Sequence, residues 1–361
     1  MQGTARYLAS KVSIAACSMM QVGKCARRKT MMCDPPFDRY RDLFTGSILQ
    51  RSQHEGRQVV EEHELPMIDL RSLRSENEEE RVSCVSEIVR ASSDWGFFQV
   101  LNHGVSNELL GEMSREQKRM FELPFEMKAS AKLLNGSYRW GTPTAKSLDQ
   151  FSWSEAFHVP LAKISDPDCC SSEFGSLSDA MERLAGTMSE LARMLAGVLA
   201  ENLGSPGDQF TKSCSKSTCF LRLNRYPPCP FSPETFGLMP HTDSDFLTIL
   251  HQDQVGGLQL RKDSKWIAVK PNPDALIVNI GDLFQAWSND VYKSVQHKVM
   301  TNTKVERYSV AYFLCPSNES TIGSCREPSI YKKFTFGEFR RQVEEDVKRS
   351  GYKVGLPRFL L

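Results

Sequence analysis

The chain reads as a mixed α/β protein whose closed or double-sheet β core is flanked by helices. Three observations predict this. Helical spacing dominates the stretch after residue 60 and ends in one long apolar stripe. Past Lys216 the texture changes to short β-rich segments separated by turn residues. A capped amphipathic helix then returns near the C-terminus.

In chain order, Leu65 to Leu70 (LPMIDL) is a short apolar segment of strand character. Ser75 followed by Glu78 is a capping-box pattern, and Val82, Val85, Ile88 and Val89 give helical spacing behind it. The spacing predicts a helix that stops near Trp95-Gly96. Phe97 to Leu101 (FFQVL) reads as a buried strand closed by the turn Asn102-His103-Gly104. A second helix runs from Asn107 to Phe121 and ends before Pro124. The longest helix starts at Ser178 and puts Met181, Leu184, Met188, Leu191, Leu195 and Val198 on one face, with Gly204 just past its end. Those methionines are core packing rather than a cofactor box.

Six short strands follow: Cys219 to Leu223, Phe246 to Leu250, Gly257 to Leu260, Lys265 to Val269, Ala275 to Ile280 and Tyr308 to Leu314. Pro227-Pro228, Gly256-Gly257, Pro271-Asn272-Pro273 and Gly281-Asp282 punctuate them. Thr335 and Glu338 form a second capping box ahead of RRQVEEDVKR. The chain therefore divides into an arm at 1–58, a helical region at 60–205, a β core at 214–320 and a helical C-terminal segment at 321–361.

Composition narrows the function classes. Lys+Arg 45 against Asp+Glu 44 leaves a net charge of +1, which argues against a nucleic-acid binder held by phosphate neutralisation. No stretch reaches the roughly 18 consecutive apolar residues of a membrane-spanning helix. The 11 cysteines lack CxxC pairs and regular spacing, so free thiols in a reducing compartment are expected, cytoplasmic or also nuclear. The first 33 residues carry Arg6, Lys11, Lys24, Arg27, Arg28 and Lys29 and no acid before Asp34. Two readings stand side by side: an organellar transit peptide, or an extension ahead of a later start at Met31 or Met32.

The candidate chemistry lies in the β-rich half. His241 and Asp243 open the stretch HTDSDFLTIL, and on a strand positions i and i+2 project to one face. Alone the pair reads equally as polar residues on a solvated edge. His297 lies 56 residues further on, in the β-like VYKSVQHKVM. His54, His63, His103, His158 and His251 lack such partners and read as bystanders. Two histidines and one carboxylate form the facial set that suits non-haem Fe(II), although zinc accepts the same ligands. Arg307 and Ser309 in ERYSVAYF share a strand face and offer a guanidinium and a hydroxyl to one carboxylate. Asn224 and Tyr226 in LRLNRYPPCP add two polar heads just before Pro227. A dedicated anion clamp has no use in a zinc hydrolase. It does serve an iron enzyme that must hold the far carboxylate of 2-oxoglutarate.

In this order, N-x-Y, H-x-D, His297 and R-x-S resemble the plant 2-oxoglutarate and Fe(II)-dependent dioxygenases, and WGFFQVLNHGV (Trp95 to Val105) is similar to that family's N-terminal region. The resemblance covers roughly residues 60–361. Within the family, Ser137 to Leu161, HQDQVGGLQL and NIGDLFQAWSNDVYKSV look like the gibberellin 2-oxidases, in particular the class acting on C20 gibberellins; MCDPPF (Met32 to Phe37) resembles where such chains begin. The resemblance implies a double-stranded β-helix, a distorted jelly roll. It implies Fe(II) on His241, Asp243 and His297, and 2-oxoglutarate on Arg307, Ser309, Tyr226 and Asn224. O2 is the second cosubstrate and ascorbate an activator. The implied reaction is 2β-hydroxylation of a diterpenoid substrate, which inactivates it, and Tyr138, Trp140, Phe157 and Phe246 are candidate walls of its pocket. Another oxygenase of the family, acting on a different gibberellin carbon or a flavonoid, is the alternative. A binding protein without turnover is the third reading.

Overall fold

The computed structural model describes residues 60–130, 133–164, 166, 174–229 and 235–361. The arm at 1–58, with its two targeting readings and His54, lies outside the described residues. Strands β1 (Glu62–His63), β2 (Met67–Asp69), β3 (Phe97–Leu101), β4 (Tyr138–Trp140) and β5 (Glu155–Pro160) belong to the N-terminal half. The core supplies β6 (Phe220–Tyr226), β7 (Phe236–His241), β8 (Leu247–Gln252), β9 (Leu258–Lys262), β10 (Lys265–Val269), β11 (Leu276–Ile280), β12 (His297–Met300) and β13 (Arg307–Leu314). A final pair, β14 (Thr321–Ile322) and β15 (Phe334–Thr335), follows. The helices are α1 (Glu78–Asp94), α2 (Asn107–Phe121), α3 (Phe125–Lys128), α4 (Leu161–Ile164), α5 (Gly175–Asn202), α6 (Gln209–Ser213), α7 (Asp282–Trp287) and α8 (Phe336–Ser350).

Two sheets form the core. The larger runs β2-β3-β11-β8-β13-β6-β5-β4 and the smaller β1-β10-β9-β12-β7. This is the predicted double-sheet architecture, and it matches a jelly roll. The large sheet separates two environments by strand alternation. Leu221, Leu223, Ile249, Val278, Val310 and Tyr312 point to a fully buried cluster that includes the apolar stripe of α5. That stripe makes α5 the scaffold helix, packed against β8 and β13 on one side and α2 on the other. Asn224, Tyr226, Arg307 and Ser309 lie on the other face, toward the small sheet.

Several boundaries differ from the sequence expectation, each for a local reason. Helix α1 is capped by Asn77, whose side chain accepts from the Glu79 amide, and not by Ser75. Ser75 instead accepts from the Asn77 amide one turn earlier. Val82 therefore faces solvent, while Cys84, Ile88 and Ala91 carry the buried face. Helix α5 begins at Gly175 rather than Ser178, whose hydroxyl donates to the Ile164 carbonyl. Helix α8 has the expected reciprocal box: Thr335 Oγ1 accepts from the Glu338 amide and Glu338 accepts from the Thr335 amide. Among the described residues, Cys84, Cys214, Cys219, Cys229, Cys315 and Cys325 are free thiols. No helix of the described residues is long and apolar enough to cross a membrane.

Candidate active site

His241 closes β7 and His297 opens β12, and the two strands pair antiparallel with these residues as direct partners. Sheet register thus removes the sequence separation and brings the imidazole centroids to 4.3 Å. Asp243 does not share the strand of His241, contrary to the i, i+2 expectation. It sits in the turn between β7 and β8. Backbone amides at the start of α7 hold this turn: those of Gly281, Asp282 and Leu283 donate to the carbonyls of Phe246, Asp243 and Asp245 at 2.9, 3.0 and 3.0 Å. A Cβ on Gly281 would collide with the Asp245 backbone and carboxylate, so this close approach requires glycine.

The donor atoms of His241, Asp243 and His297 lie within 4.8 Å of one another. Asp243 Oδ1 stands 3.6 Å from His241 Nε2 and 3.8 Å from His297 Nε2. Each imidazole donates from Nδ1 to a carbonyl, Met239 at 2.9 Å and Val295 at 3.1 Å, which leaves both Nε2 lone pairs facing the carboxylate. Burial, with His297 beside it, pushes the His241 imidazole down to about 3, so it is neutral. Burial raises the Asp243 carboxyl. The two imidazoles and hydrogen bonds from Thr248 and Asn279, both 2.7 Å, outweigh it and hold the group at about 2. Asp245, fully buried beside that charge, is pushed well above its ordinary range. Thr248 Oγ1 contacts both Asp243 and Asp245 at 2.7 and 2.9 Å. A neutral Asp245 donating to Thr248 lets Thr248 donate onward to ionised Asp243. Two imidazoles that present Nε2 and one ionised, oriented carboxylate are the donor set a divalent iron accepts.

Next to this set, Arg307 is 2% exposed. Its Nη2 donates to Gln252 Oε1 at 2.7 Å, but Nε and Nη1 are buried without a partner. Orphaned donors on a buried guanidinium define a place for an anion. The guanidinium lies over the Tyr226 ring at 4.8 Å, and Asn224 Nδ2 donates to Ser309 Oγ at 3.3 Å. Strand register explains the grouping, since Arg307 pairs with Tyr226 and Ser309 with Asn224 across β13 and β6. His241, Asp243, His297, Asn224, Tyr226, Arg307 and Ser309 all border one cavity of about 320 Å³.

The four aromatic residues expected at the substrate pack against neighbours outside this cavity. Tyr138 and Phe157 belong to the buried cluster, where the Tyr138 hydroxyl donates to Glu155. Phe246 packs edge-on against Phe210, 4.6 Å between centroids, and Trp140 against Trp153 at 5.2 Å. None of the four borders the cavity. Its aromatic walls are Phe97, 5.1 Å from the His297 ring, and Phe220 with Phe313, stacked at 4.3 Å. Phe220 also stacks on His158 at 3.8 Å, so one of the expected bystanders borders the cavity. Reasoning from sequence also missed Lys353, whose ammonium donates to the Thr242 carbonyl and Ser244 Oγ at 2.9 and 2.7 Å and pairs with Asp282 at 2.6 Å. It pins the Asp243 turn from the far end of the chain.

Comparison with known proteins agrees with this geometry. Residues 217–316 match the 2OG-Fe(II) oxygenase superfamily, and residues 65–172 match the N-terminal region described as non-haem dioxygenase in morphine synthesis. Gibberellin 2-beta-dioxygenase 6 of Oryza sativa subsp. japonica is 56% identical over 345 residues, covering 90% of this chain and 96% of that protein. Gibberellin 2-beta-dioxygenase 8 of Arabidopsis thaliana is 56% identical over 337 residues, 91% of this chain and 98% of that one. Among solved structures, JOX2 in complex with 2OG, Fe and JA superposes with a TM-score of 0.72 at 29% identity, covering 94% of this chain and 97% of that chain. With its site residues spaced, oriented and charged as described, the chain belongs to the 2OG-Fe(II) oxygenase superfamily.

Proposed function

We propose that the protein hydroxylates gibberellins at C2 from the β face, acting on the C20 class and so inactivating it. The observation that carries the oxygenase part is the juxtaposition of the His241–Asp243–His297 set with a buried arginine whose two free donors await an anion. The gibberellin and C2 parts rest on the names of the two relatives at 56% identity, both gibberellin 2-beta-dioxygenases, and the C20 class on the resemblance carried by Ser137 to Leu161, HQDQVGGLQL and NIGDLFQAWSNDVYKSV.

In this reading His241 Nε2, His297 Nε2 and Asp243 Oδ1 hold iron(II), and Arg307 with Ser309, Asn224 and Tyr226 receives the distal carboxylate of 2-oxoglutarate. When bound, the iron with its cosubstrates supplies the oxidation: 2-oxoglutarate is decarboxylated to succinate and CO2, and one oxygen atom of O2 becomes the substrate hydroxyl. The chain's own contribution is positional and electrostatic. Thr248 and Asn279 fix Asp243 through Oδ2, which leaves Oδ1 aimed at the two imidazoles. The carbonyls of Met239 and Val295 keep both imidazoles in the tautomer that presents Nε2. Arg307 neutralises the cosubstrate's remote charge, and Leu238, Leu250, Leu258 and Val299 give the cavity a dry wall.

The test is product identification after incubation with C20 and C19 gibberellins, Fe(II), 2-oxoglutarate and ascorbate. A 2β-hydroxylated C20 product is expected, formed in step with succinate. Exclusive oxidation at C20 or C3 would refute the assignment.

A further inference from the structure

The cavity continues into a second recess of about 240 Å³, and Arg222, Leu238, His241 and Lys353 border both. The recess carries three cations, Arg139, Arg222 and Lys353, and no carboxylate among its lining residues. Lys353 is neutralised by Asp282. Arg139 spends one nitrogen on the carbonyls of Gly136 and Tyr138 at 3.1 and 2.6 Å, which cancels no charge. Arg222 donates from Nε to the Asn224 amide oxygen at 2.9 Å, and no carboxylate among the described residues forms an ion pair with it. Burial pushes its guanidinium below arginine's ordinary range; Tyr226 and Asp243 oppose this, and Arg139 adds to it. Asp243 itself faces the two imidazoles through Oδ1 and accepts from Thr248 and Asn279 through Oδ2. A half-buried cation in a cavity wall, with no carboxylate in ion-pair contact and a second cation on the same recess, is an arrangement that an incoming anion completes.

That anion is not 2-oxoglutarate. Arg222 and Tyr226 lie four residues apart on β6, roughly 13 Å along a strand, and Tyr226 is the cross-strand partner of Arg307. A 2-oxoglutarate whose far carboxylate sits on Arg307 and whose keto-acid end is directed to the triad has no carboxylate left for Arg222. Around Arg222 the recess offers Leu238, Met239, Pro240 and Val347 as apolar surface. The expected guest is a rigid hydrocarbon acid with its carboxylate at one end.

We propose that Arg222 is the substrate-carboxylate anchor, binding a free carboxylate of the gibberellin in the recess beside His241. The assignment rests on the reading of the substrate as a gibberellin acid. It accounts for the cation that a diterpenoid acid requires and that motif reasoning left unnamed.

The test compares a C20 gibberellin free acid with its methyl esters on the full-length protein. Calorimetric binding and C2-hydroxylation kinetics are measured for wild type, Arg222→Gln and Arg222→Lys. Wild type should favour the free acid. Arg222→Gln should weaken acid binding by about 10- to 100-fold and leave the ester nearly unchanged, with the 2-oxoglutarate KM as in wild type. Arg222→Lys should restore part of the preference. An equal loss for acid and ester, or a shifted 2-oxoglutarate KM with an unchanged acid preference, would overturn the proposal and make Arg222 a support for Asn224. The two readings fail separately. Arg222-dependent binding without a 2-hydroxylated product sinks the assigned reaction. A 2-hydroxylated product with an Arg222-independent acid preference sinks the anchor.

Discussion

Replacing Arg307 with alanine should raise the 2-oxoglutarate requirement by about two to four orders of magnitude while leaving the metal set in place. The magnitude follows from the orphaned donors. Nε and Nη1 of Arg307 are buried and unpartnered. Each bond they form to a carboxylate is charge-assisted, worth about 1.5–3 kcal/mol. Two such bonds give about 3–6 kcal/mol, and with about 1.4 kcal/mol per tenfold the dissociation constant should rise roughly 100- to 10,000-fold. The substitution also leaves Gln252 Oε1, which accepts from Arg307 at 2.7 Å, without its donor. A stability loss of about 1–3 kcal/mol therefore accompanies the binding defect. Arg307→Lys separates the two effects, since an ammonium keeps the charge but cannot reproduce the planar fork; it should fall between wild type and alanine. The assay is the 2-oxoglutarate dissociation constant by calorimetry with metal bound, paired with KM from succinate release. A constant within about threefold of wild type in Arg307→Ala would show that another cation holds the cosubstrate.

Three further outcomes are expected. His297→Ala should lose iron and all turnover yet keep its far-ultraviolet circular dichroism, because His297 sits at the first residue of its strand; retained iron at wild-type stoichiometry would contradict the ligand assignment. Lys128→Met breaks a fully buried pair with Glu155 at 2.7 Å, and although Glu155 keeps Arg225 at 2.7 Å, about 3–5 kcal/mol of stability should be lost in urea unfolding. His251, which burial pushes from 6.5 down to about 4, must take a proton on acid unfolding. Its contribution is complete above pH 6.5 and is lost as pH falls toward 4, by up to about 3 kcal/mol. His251→Asn should therefore flatten the stability profile in that window, and an unchanged slope between pH 7.5 and 4.5 would refute the assigned burial effect.

Those features were legible in the sequence whose physics is local or periodic. The apolar stripe of α5 and the Thr335–Glu338 box of α8 each follow from a few adjacent residues. The seven motif residues could be nominated because iron and 2-oxoglutarate demand particular donors, and the structure gathers those residues at one cavity. The illegible part is tertiary. Asp243 was expected on a strand with His241, but its turn is shaped by three amides of α7, which no pattern around residue 243 discloses. Strands β4 and β5 pass through a polar, turn-rich stretch, and β5 buries Glu155 because Lys128 and Arg225 arrive from other elements. Tyr138 and Phe157 look like pocket aromatics by type, yet β4 and β5 turn them into the buried core. Arg222 reads by type as a surface cation, and only the register of β6 turns it toward the cavity.

The same tertiary wiring explains how the turn between β7 and β8 holds Asp243 against the two histidines. Asp282 is 3% exposed and collects contacts from three distant segments. Thr242 Oγ1 donates to it at 3.2 Å, Ser294 Oγ at 2.7 Å, and Lys353 pairs with it at 2.6 Å. Its own amide donates to the Asp243 carbonyl. Thr242 lies between two of the three donors, and Ser294 precedes Val295, whose carbonyl orients His297. One carboxylate thus references the turn, the His297 arm and the C-terminal tail to the start of α7. Since β7 and β12 already fix the two histidines against each other, Asp282 needs only to hold Asp243 to complete the set. The sheet and a hydrogen-bonded helix end share the positioning of the donor set, and the cavity behind them is left free to differ in the cations it offers a substrate.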